Sequence, residues 1–130
     1  QRTQCVVKQY STFDALPGVK LNGKLTAGEN IADMGGVKLA FRAYRMLRAS
    51  APDTQVADGF TEDQQFFLSV AQIWCGKAKL AFRRMRAKTD VHSPSEWRVN
   101  GSLMNTPEFA RAFRCAKGTP MNPAKSCKVW

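Results

Sequence analysis

The chain has 130 residues, 44% of them hydrophobic, enough for one domain with a modest core. Its 20 Lys and Arg against 10 Asp and Glu give a formal net charge of +10, which favours acidic surfaces or nucleic acid, although the dispersed basic residues read first as a solvated face. No run of 18 apolar residues is present, which excludes a membrane-spanning helix, and one histidine with four cysteines in no CxxC spacing excludes a zinc ribbon.

In chain order, "CVVKQYSTF" is β-rich in composition and predicts a short strand or extended segment. Pro17-Gly18 and Asn22-Gly23 mark turns ahead of the first predicted helix. Thr26 followed three residues later by Glu29 has the form of a capping box and sets that helix's start. Met34, Val37, Phe41, Tyr44 and Leu47 then follow the three-and-four spacing of a buried stripe. Pro52 and Gly59 bracket a polar loop, and Thr61 with Gln64 repeats the capping signal. "QQFFLSVAQIWC" predicts an apolar helix buried on most sides, and Ala78 to Ala87 a basic, exposed one. In "TDVHSPSEWRVNG", Pro94 forces a turn and Trp97/Val99 alternate with Arg98/Asn100 as in a strand or extended loop. Thr106-Pro107-Glu108 opens a short helix, "EFARAFRC", with a cap, a first-turn proline and an acid at the positive dipole end. The tail, "AKGTPMNPAKSCKVW", has no periodicity and is expected to be held by Cys127 and Trp130. The sum is a mainly α chain with short strands or extended loops.

Two features of the first helix need a reason. Glu29 and Asp33 sit one turn apart, roughly 40° around the helix, so like charges share a face. Gly35 and Gly36 follow, each costing about 1 kcal/mol relative to alanine in a helix interior. One explanation is local: acids stabilise the first turn's dipole, and the glycines break or kink the helix. The other is a site, with Glu29 binding a cation, Asp33 orienting another ligand, and the glycines admitting a neighbouring helix. Cys5, Cys75, Cys115 and Cys127 allow three complete pairings, and disulfides in an oxidising compartment compete with buried free thiols. Gln1, with neither an initiator Met nor a signal-peptide pattern, suggests a processed, trimmed or nicked chain.

Four blocks, "GENIADMGG", "FFLSVAQIWC", "TDVHSPSEWRVNG" and "MNPAKSCKVW", occur in that order along essentially the whole chain. Together they resemble the C-terminal part of the neprilysin family of zinc endopeptidases. The resemblance implies a C-terminal segment, residues 1–130, of a zincin-type, thermolysin-like catalytic domain. It implies that Glu29 is a zinc ligand and that Asp33 hydrogen-bonds a zinc-binding histidine. His92 corresponds to the residue that steadies the oxyanion, Arg98 to the one that hydrogen-bonds a substrate carbonyl, and Asp90 to a residue that orients His92. Ile73 and Trp74 match walls of the S1′ pocket, where core packing alone would otherwise account for them. By the same resemblance Cys5 pairs with Cys127, and Cys75 and Cys115 pair with cysteines upstream. Met34 departs from the family's usual asparagine.

The chain has no HExxH motif, so the two histidines that complete the single zinc site are expected outside it. The implied activity is hydrolysis of oligopeptides on the amino side of large apolar residues, with this chain alone incomplete and inactive. The implied partners are peptide substrates and the missing N-terminal part of the enzyme. No nucleic acid is expected, any membrane anchor lies upstream, and the location is extracytoplasmic: secreted, periplasmic or an ectodomain. The competing reading from charge, supported by "KLAFRRMRAK", is a cationic, disulfide-tied module that binds acidic membranes or nucleic acid without catalysis.

Overall fold

Val6 and Tyr10, one helical turn apart, are both fully buried, and they fix the first element. In the computed structural model, which describes residues 1–50 and 55–129, they lie on a helix, α1 (Arg2–Tyr10), where composition predicted a strand. The β-branched valines argue for a strand only while local preference decides. Burial of an i, i+4 pair against the rest of the core outweighs a propensity cost of a few tenths of a kcal/mol per residue. Cys5 on the same helix bonds Cys127, 122 residues away. Closing so long a loop stabilises by about 5 kcal/mol in the chain-entropy account.

Pro17-Gly18 turns a small antiparallel hairpin, β1 (Asp14–Leu16) with β2 (Val19–Lys20), with Gly18 at a φ of 76°. That positive φ is the conformation a type II turn requires at the residue after proline. The long helix α2 (Ala27–Leu47) begins where expected, with Thr26 at its N-cap, but no capping box forms. The Thr26 hydroxyl donates to the Asn22 carbonyl at 3.1 Å instead. The helix runs unbroken through Gly35 and Gly36, so the glycines do not break it. A methyl group at Gly36 would meet nothing within 4 Å, so nothing among the described residues requires a glycine there.

Of the predicted stripe, Met34 and Phe41 are buried, Val37 and Tyr44 half-buried, and Leu47 is 87% exposed. A second antiparallel hairpin, β3 (Gln55–Ala57) and β4 (Phe60–Thr61), turns at Asp58-Gly59. Pro52 and Trp130 lie outside the described residues. The helix α3 (Glu62–Ile73) carries the capping box as read: Thr61 Oγ1 accepts from the Gln64 N–H and Gln64 Oε1 accepts from the Thr61 N–H. It is less buried than its composition predicts. Phe67 is its buried residue, while Ile73 is 74% exposed.

The helix α4 (Leu80–Thr89) has no buried residue and is exposed over most of its length, as its basic sequence predicts, with Ala87 packed against the first lobe of the core. The next segment is a helix too, α5 (Ser95–Leu103), where strand-like alternation was expected. Pro94 stands at its N-cap, outside the helix, where its missing N–H breaks no intrahelical hydrogen bond, and Gly101, Ser102 and Leu103 are buried at the other end. A last short helix, α6 (Pro107–Ala112), starts at Thr106 as expected.

The core has two lobes along α2. The first gathers Val6, Tyr10, Ala15, Leu21, Met34 and Cys127, with Phe13 stacked on Trp97 at 4.0 Å between ring centres. The second is aromatic, with Phe41 stacked on Phe67 at 4.9 Å and Phe67 edge-on to Phe109 at 5.5 Å. The tail is held where Asn105 Oδ1 accepts from the Cys127 N–H at 2.7 Å. Helices α2 and α5 pack against each other, and the candidate residues Asp33 and Arg98 lie where they meet.

Candidate active site

The two acids of α2 are not left to repel each other. Asp33 takes a bidentate pair of hydrogen bonds from Arg98 on α5, 2.7 Å from Nε and 2.6 Å from Nη2. Both side chains are 14% exposed, and the other face of the guanidinium lies over the Trp74 ring, 3.9 Å from its centre. A planar cation fixed at its edge by a carboxylate and on its face by an indole has little rotational freedom left. Its ordinarily high pKa is pushed higher still, chiefly by the hydrogen bonds to Asp33, so it is a permanent cation. Asp33 and Arg98 are 65 residues apart in sequence.

Glu29, one turn earlier, is 40% exposed and faces His92, whose Nε2 lies 3.3 Å from Glu29 Oε2. Arg98 Nη2 lies 3.9 Å from the same oxygen. On its other side the imidazole is held by Asp90, whose Oδ1 is 2.8 Å from Nδ1 and also accepts from the His92 backbone N–H at 2.8 Å. Burial pushes the Asp90 carboxyl up, but the His92 backbone N–H, the Arg86 guanidinium and the His92 ring together outweigh it and bring the pKa down to about 2. An ionised Asp90 accepts from Nδ1–H, which turns Nε2 toward Glu29, as a donor when the ring carries its second proton.

The loop carrying His92 is tied to α2 by a buried link. Ser93 Oγ donates to Asn30 Oδ1 at 2.6 Å, and Asn30 Nδ2 donates to Thr26 Oγ1 at 3.0 Å. All three residues are buried. These ties place α2's first turn and the Asp90–Ser93 loop in one rigid frame.

The structure therefore brings together Glu29, Asp33, Asp90, His92, Arg98 and Trp74, and it leaves Ile73 pointing to solvent beside them. Arg98 stands on a helix and not on the extended segment expected. Cys75 is exposed and Cys115 half-buried, both as free thiols, while Cys5 and Cys127 form the disulfide. Sequence reasoning missed the Asp33–Arg98 pair, the Trp74 platform and the Asn30–Ser93 link. Asn30 lies inside "GENIAD" and Ser93 directly follows His92, so adjacency to the candidate residues was the available signal. Among the described residues no three His, Cys, Asp or Glu side chains stand close enough together to hold a metal ion. The described residues thus offer no complete donor set for a metal ion.

Comparison with known proteins identifies the family. The chain matches Peptidase family M13 over residues 1–129. It is 45% identical over 136 residues to Neprilysin-1 of Caenorhabditis elegans, covering 100% of this chain and 18% of that protein. It is 46% identical over 132 residues to Endothelin-converting enzyme 1 of Mus musculus, covering 100% of this chain and 17% of that one. The solved structure of the Mycobacterium tuberculosis zinc metalloprotease ZMP1 in complex with inhibitor superposes with a TM-score of 0.89 at 31% identity, over 99% of this chain and 21% of that one. The mainly helical fold is that of the C-terminal segment of a metalloprotease domain. The chain belongs to peptidase family M13. It spans less than a fifth of the length of these two curated relatives, 18% and 17%.

Proposed function

We propose that this segment forms one wall of the active site of a zinc-dependent endopeptidase, in an extracytoplasmic setting that suits its disulfide. The observation that carries the reading is the convergence of Glu29, His92 and Arg98 on one patch, with a carboxylate oxygen 3.3 Å from the imidazole and 3.9 Å from the guanidinium. A carboxylate, a proton donor and a fixed cation opening on the same space suit the attack of water on a peptide carbonyl.

Glu29 supplies one ligand, and two histidines outside this chain complete the set. Zinc, when bound, supplies a Lewis acid and lowers the pKa of a water molecule. Asp33 holds Arg98 through its bidentate pair and has lone pairs left with which to orient a histidine ligand. His92, its ring fixed through Nδ1 by Asp90, donates from Nε2 to the negative charge that develops on the carbonyl oxygen. Arg98 keeps its guanidinium locked on Trp74 and directs its remaining N–H groups at a substrate carbonyl. Exposed Ile73 and the Trp74 ring form part of an apolar S1′ wall, which favours a large apolar residue after the cleaved bond.

The test is made in the complete enzyme. Glu29→Gln is expected to lose bound zinc and hydrolysis together while circular dichroism stays unchanged. His92→Ala is expected to keep its zinc and lose at least about 10²-fold in kcat, the size of a missing oxyanion donor. Full zinc occupancy with retained turnover in Glu29→Gln would refute the ligand assignment.

A further inference from the structure

A cleft of about 410 Å³ opens between one side of α4, with the segment just before it, and the loop and first turn of α5 that carry His92, Pro94 and Glu96. Its size suits one to two residues of an extended peptide. Lys77, Phe82, Arg83, Arg86 and His92 line it, with Glu96 on the α5 side. From Lys77 to Thr89 the sequence has six basic residues and no Asp or Glu. Arg86 is matched by Asp90, whereas no carboxylate stands within ion-pair distance of Lys77 or Arg83 among the described residues. Glu96 is the single acid facing them across the cleft, so the space carries an excess of positive charge. The basic residues of α4 are also sorted by side: Arg84 and Lys88 line a different depression, against Leu16 and Val19.

We propose that this cleft binds an acidic side chain of the peptide, that Arg83 with Lys77 selects it, and that Glu96 limits the selection. The proposal rests on the peptidase reading above and extends it to substrate choice. Because His92 forms part of the cleft and also faces Glu29, a side chain seated there belongs to a residue close to the cleaved bond. Phe82, half-exposed, gives the methylenes of a Glu or Asp side chain an apolar surface beneath the charge. The guanidinium fork of Arg83 suits a carboxylate bidentately, which a lysine does not.

The test uses the complete enzyme and C-terminally amidated peptides that share one cleavable bond, with Glu or Gln placed in turn at each of the three positions on either side. Specificity is the ratio of kcat/KM for the Glu and Gln peptides in each variant, so that changes common to both cancel. The expected result is a preference of about fivefold for Glu at one position, the scale of a partly exposed charge contact. Arg83→Gln should abolish it, Arg83→Glu reverse it, Glu96→Gln increase it, and added salt weaken it. The same preference in Arg83→Gln as in the parent, or none at any position, overturns the proposal. Equilibrium binding of the same peptides decides the matter even in a protein that cuts none of them, so failure of the peptidase reading is seen separately.

Discussion

The bidentate pair between Asp33 and Arg98 joins α2 to α5 and also sets the direction of the guanidinium. Its energy follows from its surroundings. Two unit charges about 4 Å apart attract by about 4 kcal/mol at an effective dielectric constant of 20, and desolvation of both groups offsets part of this. Removing one partner of a fully buried pair costs about 3–5 kcal/mol, because the other charge is stranded. Here each side chain is 14% exposed, Glu29 remains 3.9 Å from Arg98 Nη2, and the Trp74 ring still covers the cation. Asp33→Ala should therefore cost somewhat less, about 2–3 kcal/mol. The check is urea unfolding of the parent, Asp33→Ala, Arg98→Ala and the double variant. The expected coupling energy is about 2 kcal/mol, well above the 0.3–0.5 kcal/mol within which independent sites add. A coupling inside that margin would refute the argument that this pair locks α2 to α5. Arg98→Lys should recover only part of the coupling, since an ammonium cannot bridge both oxygens as the fork does.

Two other outcomes follow from close packing and from charge. A methyl group at Gly101 would lie 2.5 Å from Tyr10 Oη and 2.6 Å from Cζ, against a ring that is fully buried. Gly101→Ala should destabilise by about 3 kcal/mol, the upper part of the usual range for overpacking, and Tyr10→Phe should restore part of it; an unchanged urea midpoint would contradict the packing. The Asp90 carboxyl is lowered from 3.8 to about 2 on folding, so its contribution to stability is complete above pH 3.8 and disappears as the pH falls through about 2. After allowance for solvent screening this contribution is about 1 kcal/mol, and Asp90→Asn should flatten the stability profile across that window. An identical acid profile in the variant would mean that other carboxylates set it.

The capping pattern shows why the sequence offered candidate residues but not their arrangement. Thr61 and Gln64 form the box that their spacing predicts, with both reciprocal hydrogen bonds present. Thr26 and Glu29 carry the same spacing and form none. Thr26 is buried between Asn22 and Asn30, and the Glu29 carboxylate is turned to His92. A local rule predicts a local bond until a tertiary partner offers a better one, and here that partner is the candidate site itself. The two helices that sequence misjudged teach the same lesson. Valines in α1 and the alternation of Trp97 and Val99 in α5 suggested strands, and burial of Val6, Tyr10 and Leu103 on helical faces decided otherwise. The Asp58-Gly59 hairpin, in contrast, carried a recognisable two-residue turn signal that the reading of a polar loop passed over.

The acids and glycines of α2 can now be separated. Local electrostatics alone would leave Glu29 and Asp33 as a repulsive i, i+4 pair, worth a few tenths of a kcal/mol against the helix. The fold brings Arg98 to Asp33 and His92 to Glu29, so each acid has its own cation or proton donor, and the repulsion is more than offset. Among the described residues no comparable compensation exists for Gly36: it lies exposed, in an unbroken helix, with open space where a side chain would go. Within this chain an alanine there should be tolerated and, by helix propensity, should stabilise by up to about 1 kcal/mol. The described residues give no structural reason for a glycine at this position.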